Sequence, residues 1–439
     1  MSTSLDRKLA AIHRDPSGSK EFIIADAKDA DMAFGIGAPG KSPELHAGEV
    51  RMRTLAEYRE QIRQIVRQGL VDIMLMSAST NDVLTIGERL FDDSEVTPAA
   101  RANDTSDIFV VRGGAYLADP SRPFRTALLD HIQCGHIDCE PAERVNGANL
   151  GLYSITFNNR LDDDLRALDD YRKFRVEAER KGFRHFLELF DPNAPGAAMS
   201  AEHTAGYIND CVARTLAGVA AAGRPLFLKM VYHGPKAMEE LVAYDPHLIV
   251  GILGGGAGTT YDAFKLISEA QKYGARIALF GRKINNAECQ LAFVQFLRLI
   301  VDGQITPEEA VKAYHGVLDR LKIRPHLSLD DDLTLQTGVM SYGGGSSVSV
   351  PMDVPSQGSQ ASTGKVAAEE GHCDCPDKQA PCACPTHEHH EHSAVGSPPN
   401  GKPSTNGHAQ SDSGLPDFAR MTSAEKLAYN KAKRDRIFG

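Results

Sequence analysis

The residue of this chain best suited to chemistry is a lysine inside an apolar run. In PLFLKMVY, residues 225–232, the alternation reads as a β-strand with Leu226, Leu228 and Met230 on one face and Phe227, Lys229 and Val231 on the other. A surface lysine on an edge strand is the plainer account, but the flanking residues are too apolar for a solvated position. A buried ammonium is unfavourable unless it gives up its proton or finds a partner. A neutral amine in such a site is a nucleophile toward carbonyl carbon. The same parity puts Glu188 of HFLELF (185–190) on a face with Phe186 and Phe190, and Asp26 of EFIIAD (21–26) on a face with Ile24. Two carboxylates beside an amine suit imine chemistry: one shuttles protons as a carbinolamine dehydrates, the other takes the proton of a hydroxyl as a C–C bond breaks. Glu188 is the first choice for this work. The alternative is a structural ion pair with Lys229, because structural networks perturb titration as active sites do.

A second group of residues could hold an anion. GILGGGAGT (251–259) precedes a helical pattern, and RIALFG (276–281) runs into Arg282 and Lys283. Glycines let backbone N–H groups approach an anion near a helix start, and an arginine offers a two-pronged contact to oxygen. A glycine run alone is usually a flexible loop; its position, the following helix and the downstream arginine together make a phosphate site the stronger reading.

A third group lies near the C-terminus. Cys373, Cys375, Cys382 and Cys384 precede His387, His389, His390 and His392, within a segment (372–392) otherwise built of Pro, Asp, Glu and Ala. Soft thiolates beside imidazoles suit zinc, nickel or copper(I). The C-x-C-x6-C-x-C spacing is not that of a zinc finger, so Cys373, Cys375, Cys382, Cys384, His387 and His389 are read as a metal-binding tail separate from any catalysis. The other cysteines, Cys134, Cys139, Cys211 and Cys289, are scattered, which suits buried free thiols rather than disulfides.

The elements that must position these groups alternate along residues 20–322. Strand-like runs occur at 21–26, 71–77, 107–113, 151–157, 185–190, 225–232, 248–253 and 276–281, with amphipathic helical patterns between most of them. That order implies a parallel sheet with right-handed crossovers. Eight such units point to a closed (β/α)8 TIM barrel of the α/β class, with a doubly wound open sheet as the other solution. The link over 114–150 reads as a loop over the barrel mouth. Beyond about Leu335 the texture changes to GGGSS, SQGSQAS and PPNGKPSTNG, so residues 336–415 are expected to be a disordered low-complexity linker. Thr422–Glu425 reads as a capping box that opens a short basic helix within 416–438. That helix could dock on a protein partner or remain frayed in solvent.

Composition narrows the function classes. A formal net charge of -10 over 439 residues gives no basic footprint for nucleic acid or an anionic membrane. The N-terminus lacks an apolar signal segment, and no stretch approaches about 18 consecutive apolar residues. A cytoplasmic protein acting on a small molecule is expected, and helical barrel exteriors commonly assemble into homo-oligomers.

The segments FLELF, LFLKMVYHGP, ILGGG and ALFGRKI resemble, in kind and order, the class I (Schiff-base) aldolases of the archaeal-type fructose-bisphosphate, tagatose-bisphosphate and sulfofructose-phosphate group, over about residues 20–300. The resemblance implies a Schiff-base lysine at Lys229, a proton-transferring glutamate at Glu188, and a substrate phosphate held by Gly254, Gly255, Gly281 and Arg282. It also implies substrate contacts at Asp26 and Lys28, a phosphorylated ketose or related sugar phosphate as substrate, and no cofactor for catalysis. The chain departs from the family on strand four, where some members carry a lysine and this one has Tyr153 and Ser154; on strand five, where others carry a tyrosine and this one has Phe190 and Asp191; and on strand one, where ADAKDAD is unusually charged. Tyr153 could serve as auxiliary proton carrier, or be core with a satisfied hydroxyl. Arg112 could replace the missing cation. These departures leave open a transaldolase-like or acyl-transferring barrel, and a non-catalytic scaffold whose tail binds metal or a partner.

Overall fold

Of the two ways to bury both faces of eight short parallel strands, the chain takes the closed one: they curl into a ring that fills its own centre and wears helices outside. In the computed structural model they run β1 Ile23–Lys28, β2 Ile73–Met76, β3 Thr97–Arg101, β4 Leu150–Thr156, β5 Arg184–Phe190, β6 Leu228–Met230, β7 Val250–Gly254 and β8 Ile277–Phe280. Every neighbouring pair is parallel, and β8 returns to pair with β1, closing the barrel. The structure describes residues 2–337, apart from 47, 48, 110, 112, 195, 196, 198 and 257, together with 422. These include the barrel, which lies within the unit Met1–Val350.

Side-chain parity divides the barrel into two apolar layers. Inside lie Ile23, Ile73, Leu150, Phe186, Phe227 and Ile277, with Phe186 and Phe227 stacked at 4.5 Å between ring centroids. Outside, Ile24, Met74, Leu187, Leu228, Ile252 and Phe280 pack under the helices. Helix α1 (Ser4–Arg14) contributes Leu5, Leu9 and Ile12 to the inner layer and so plugs the end at which the strands begin. The opposite, C-terminal end of the strands is left to polar residues. Helices α2 (Leu55–Gln68), α3 (Leu161–Arg180), α4 (Ala201–Ala217), α5 (Pro235–Tyr244), α6 (Thr260–Lys272), α7 (Gln290–Val301) and α8 (Pro307–Leu321) form the outer ring. Capping boxes at Thr54/Glu57, Thr259/Asp262 and Thr306/Glu309 start α2, α6 and α8, each satisfying N–H groups that a helix start leaves unpaired.

One strand is not where the sequence suggests. None of the described residues of the run 107–113 (DIFVVRG) enters the barrel: residues 106–108 form a turn, and neither Phe109 nor Val111 belongs to a strand. The third position belongs to Thr97–Arg101 (TPAAR), which pairs with β2 on one side and β4 on the other. Its residues carry little β-propensity. The pairing of two neighbours and the small buried side chains of Ala99 and Ala100 decide instead. The connection from β3 to β4 therefore begins at Ala102 rather than near 114. It contains a small antiparallel pair, Asp104–Thr105 with Pro123–Phe124, and a short helix, Leu129–Cys134.

Among the described residues no helix is long and apolar enough to cross a membrane. The Cys/His segment 372–392 with its six candidate ligands, the basic helix expected over 416–438 and nearly all of the linker expected over 336–415 lie outside the described residues.

Candidate active site

At the C-terminal end of the barrel, the four strands β3 to β6 aim charged or polar side chains inward, and Asp29 joins them from just past β1. Lys229 on β6 and Glu188 on β5 are register partners, so their side chains leave the sheet side by side. The Lys229 Nζ lies 2.5 Å from Glu188 Oε1. Only 6% of Lys229 is exposed, so the ammonium has found the partner that its burial requires. The other Glu188 oxygen, Oε2, accepts from Ser154 Oγ on β4 at 2.6 Å and from Arg101 NH2 on β3 at 3.4 Å. Arg101 in turn gives its Nε to Asp29, just past β1, at 2.5 Å, and its NH1 to Ser154 Oγ at 3.2 Å; NH1 also lies 3.6 Å from Asp104 Oδ1. Asn103 fixes the backbone beneath, donating to Ser154 O at 2.9 Å and accepting from Ser154 N at 2.6 Å.

The electrostatics result from this burial. Burial works against the charge of Arg101, but Asp29, Glu188 and Asp104 outweigh it and hold the guanidinium firmly protonated. At Asp104, burial pushes the carboxyl up to about 6 against the pull of Arg101. A planar fork that meets several acceptors at once is the geometry at which arginine exceeds lysine.

Several residues singled out by sequence fall elsewhere. Asp26 and Lys28 pair in register with Met74 and Met76, which face the helices, so both side chains point away from the lumen. They form a buried ion pair at 3.4 Å, and Lys28 donates to Gln290 at the start of α7 at 2.9 Å. Burial raises Asp26 to about 6 despite Lys28, and lowers Lys28 despite Asp26. The inward side of β1 carries Ile23, Ala25 and Ala27 rather than Ile24, and the lumen carboxylate from this strand's end is Asp29. Tyr153 likewise faces outward, stacked on Phe174 of α3 at 4.4 Å; the inward residue of that pair is Ser154. Arg112 lies outside the described residues, and the role foreseen for it, a cation at the end of the third strand, falls to Arg101. The signal for Arg101 was present in RANDTSD (101–107), a dense polar cluster directly after a short apolar stretch, which is how the C-terminal end of a barrel strand reads.

The glycine loop and the arginine after β8 do come together. A Cβ added at Gly256 would stand 3.3 Å from three atoms of the Arg282 side chain, and one at Gly281 would stand 2.8 Å from the Ala27 carbonyl. Gly254 faces outward instead: a Cβ there would overlap the Phe280 ring at 1.6 Å, so its first role is packing between β7 and β8. The start of α6 is already occupied by Thr259 and Asp262, which cap its first N–H groups. Lys283 is committed to the same loop through its bonds to the Gly258 and Thr259 carbonyls, and burial pushes it down to about 8.

The fold and site define a class: a closed (β/α)8 barrel with a lysine–glutamate pair in its lumen and a glycine loop facing an arginine after the last two strands. No protein-family model and no curated protein sequence matches the chain. Among solved structures it is similar to an archaeal fructose 1,6-bisphosphate aldolase at 14% identity, over 67% of this chain and 99% of that one, with a TM-score of 0.47. It is also similar to the fructose-bisphosphate aldolase of Slackia heliotrinireducens (12% identity, 71% and 91% covered, TM-score 0.49) and to N-acetylneuraminate lyase of Fusobacterium nucleatum (13%, 69% and 82%, TM-score 0.34). At such identities and scores nothing about the site can be drawn from these neighbours.

Proposed function

We propose that this barrel is a class I aldolase, which cleaves or makes a C–C bond in a phosphorylated ketose or related sugar phosphate through an imine on Lys229. The observation that carries the reading is the 2.5 Å contact between Lys229 and Glu188 at the C-terminal end of the lumen. Proton transfer from the ammonium to Glu188 yields a neutral amine, whose lone pair attacks the ketone carbon. Glu188, now the acid, protonates the carbinolamine hydroxyl, which leaves as water and forms the iminium. Electrons of the adjacent C–C bond flow into the iminium as a base takes the proton of the neighbouring hydroxyl, giving an enamine and a free aldehyde. Protonation of the enamine and hydrolysis return the amine. The iminium is the electron sink, so the chemistry calls for no metal or cofactor. Arg101 and Ser154 position Glu188, and Asp29 takes the place first given to Asp26 as the second lumen carboxylate. Gly255, Gly256 and Arg282 are the proposed phosphate contacts.

A second reading has its own observation. Lys229, Glu188, Arg101 and Asp29 satisfy one another with little exposure, as a purely structural network in a scaffold barrel would. Intact mass after borohydride reduction, with a pool of phosphorylated ketones and aldehydes, separates the two. A ligand-sized mass increase in the wild type that is absent from Lys229→Ala supports the aldolase; a wild type that traps nothing from a broad pool leaves the scaffold.

A further inference from the structure

The short helix Leu129–Cys134 and the loop after it bring together groups that the lumen chemistry does not use. The Sγ atoms of Cys134 and Cys139 and a carboxylate oxygen of Glu143 lie within 4.8 Å of one another, with both cysteines buried. His136 is beside them, its Nε2 3.3 Å from Glu143 Oε1. Its Nδ1 lies 2.8 Å from the Ile137 carbonyl, and a carbonyl can only accept, so Nδ1 carries the proton. That turns Nε2 toward the Glu143 carboxylate, a contact that either a proton on Nε2 or a cation shared by the two groups can make.

We infer that Cys134, His136, Cys139 and Glu143 form a binding site for one thiophilic divalent cation of the zinc class. Two thiols, an imidazole and a carboxylate make up a tetrahedral donor set that zinc favours. Bonds of about 2.3 Å to sulfur and about 2.0 Å to nitrogen or oxygen place such ligand atoms roughly 3.3–3.8 Å apart, so Cys134, Cys139 and Glu143 close by about 1 Å through rotamer adjustment, and the exposed His136 turns in as the fourth ligand. Binding displaces the two thiol protons to solvent, so that two thiolates and one carboxylate face one dication.

The surrounding backbone is arranged to hold the loop in this shape. Gly135 takes φ +89° and turns the chain back after the helix. The Glu140 N–H donates to Glu143 Oε2 at 3.0 Å, which leaves Oε1 for the cation, and the Asp138 N–H donates to Asp130 Oδ2 at 3.2 Å. Asp130 is itself held by Lys181 at 2.5 Å, which fastens the loop to the end of α3. The Gly147 and Ala148 N–H groups return to the Gln133 and Ile132 carbonyls immediately before β4 begins. The site is therefore at the end of the barrel where strands start, opposite Lys229, and its role is to staple the β3–β4 connection. It stands or falls independently of the aldolase reading.

The test is cobalt(II) titration of the reduced full-length chain carrying Cys373→Ser, Cys375→Ser, Cys382→Ser and Cys384→Ser, so that tail thiols contribute no signal. Binding of one equivalent with thiolate-to-cobalt charge-transfer absorption, displaced by zinc, is expected. Cys134→Ser and Cys139→Ser in this background should each lose that signature while Cys211→Ser keeps it. Glu143→Gln, a surface-loop change that spares both thiols, should weaken binding at least about tenfold and lower the melting temperature gained on adding zinc. The inference is overturned if the signature survives loss of either thiol, if no cobalt binds while both thiols are free, or if peptide mass without reductant shows Cys134 joined to Cys139 in a disulfide that reduction opens without creating a cobalt site.

Discussion

Replacing Arg101 by methionine is the sharpest test of the lumen network. Methionine keeps most of the side chain's length but removes the fork that meets Asp29, Glu188 and Ser154. At neutral pH the substitution strands buried carboxylates without a counter-charge. Removing one member of a buried pair destabilises by about 3–5 kcal/mol. At roughly 2–4 °C per kcal/mol for chains approaching this size, the melting temperature should fall by about 6–20 °C. Urea unfolding followed by circular dichroism at pH 7 measures the free energy where heating is irreversible. Adding Asp29→Asn to Arg101→Met should recover part of the loss, because the amide no longer needs the guanidinium, with a coupling of about 0.5–3 kcal/mol. A single variant that loses less than about 1 kcal/mol, or a double variant whose losses simply add, would falsify the account of Arg101 as the cation that balances the lumen.

Further tests use the same logic. Tyr153→Phe should leave borohydride trapping unchanged, because the ring packs on Phe174 outside the lumen; a large loss of trapping would return Tyr153 to the site. Gly254→Ala forces a methyl into the Phe280 ring and should destabilise by about 1–3 kcal/mol in a urea titration, whereas a neutral result would show that β7 and β8 can part more easily than their register suggests. Asp104→Asn tests the burial of that carboxylate, which is pushed up to about 6. A folded pKa above the unfolded value means the folded state holds its proton more tightly, so the group disfavours folding above about pH 6 and ceases to do so below about pH 4. The variant should therefore be more stable than the wild type at pH 7, by no more than about 3 kcal/mol, and the difference should fade as pH falls to 4; a difference independent of pH would contradict it.

Much of the site was legible in the sequence, because Lys229 and Glu188 each sit in strands whose flanking residues fix the inward face. Phe186, Phe227 and the lysine–glutamate pair alternate cleanly with Leu187 and Leu228, so parity alone decides. Parity misleads at β1, where Ile23, Ile24 and Ala25 are all buried and all apolar, and a strand covered on both faces gives no alternation by which to choose Asp26 or Asp29. The same holds at β4 for Tyr153 and Ser154: a fully buried tyrosine outside the barrel looks, in sequence, like one inside it. β3 was missed for a different reason. Phe109, Val110 and Val111 are far better strand formers than Pro98, Ala99 and Ala100, and only the need to bridge β2 and β4 selects the weaker segment. With the third strand read at 107–113, the cation at its end reads as Arg112 rather than Arg101.

The lumen's charges bear on why an amine here should favour imine formation. Around one centre stand the carboxylates Asp29, Asp104 and Glu188 and the cations Arg101 and Lys229, so anionic groups outnumber cationic ones. A neutral Lys229 with a protonated Glu188 keeps the total charge while removing one attraction, which makes the reactive pair less stable than the resting one. An iminium on Lys229 restores a cation beside a carboxylate, once Glu188 has given its proton to the departing hydroxyl. For the proposed imine, the field of Asp29, Asp104 and Glu188 favours the cation over the neutral amine, as it favours the resting ammonium. Under the proposed reaction, the network that makes Lys229 look structural is what holds its cationic intermediate.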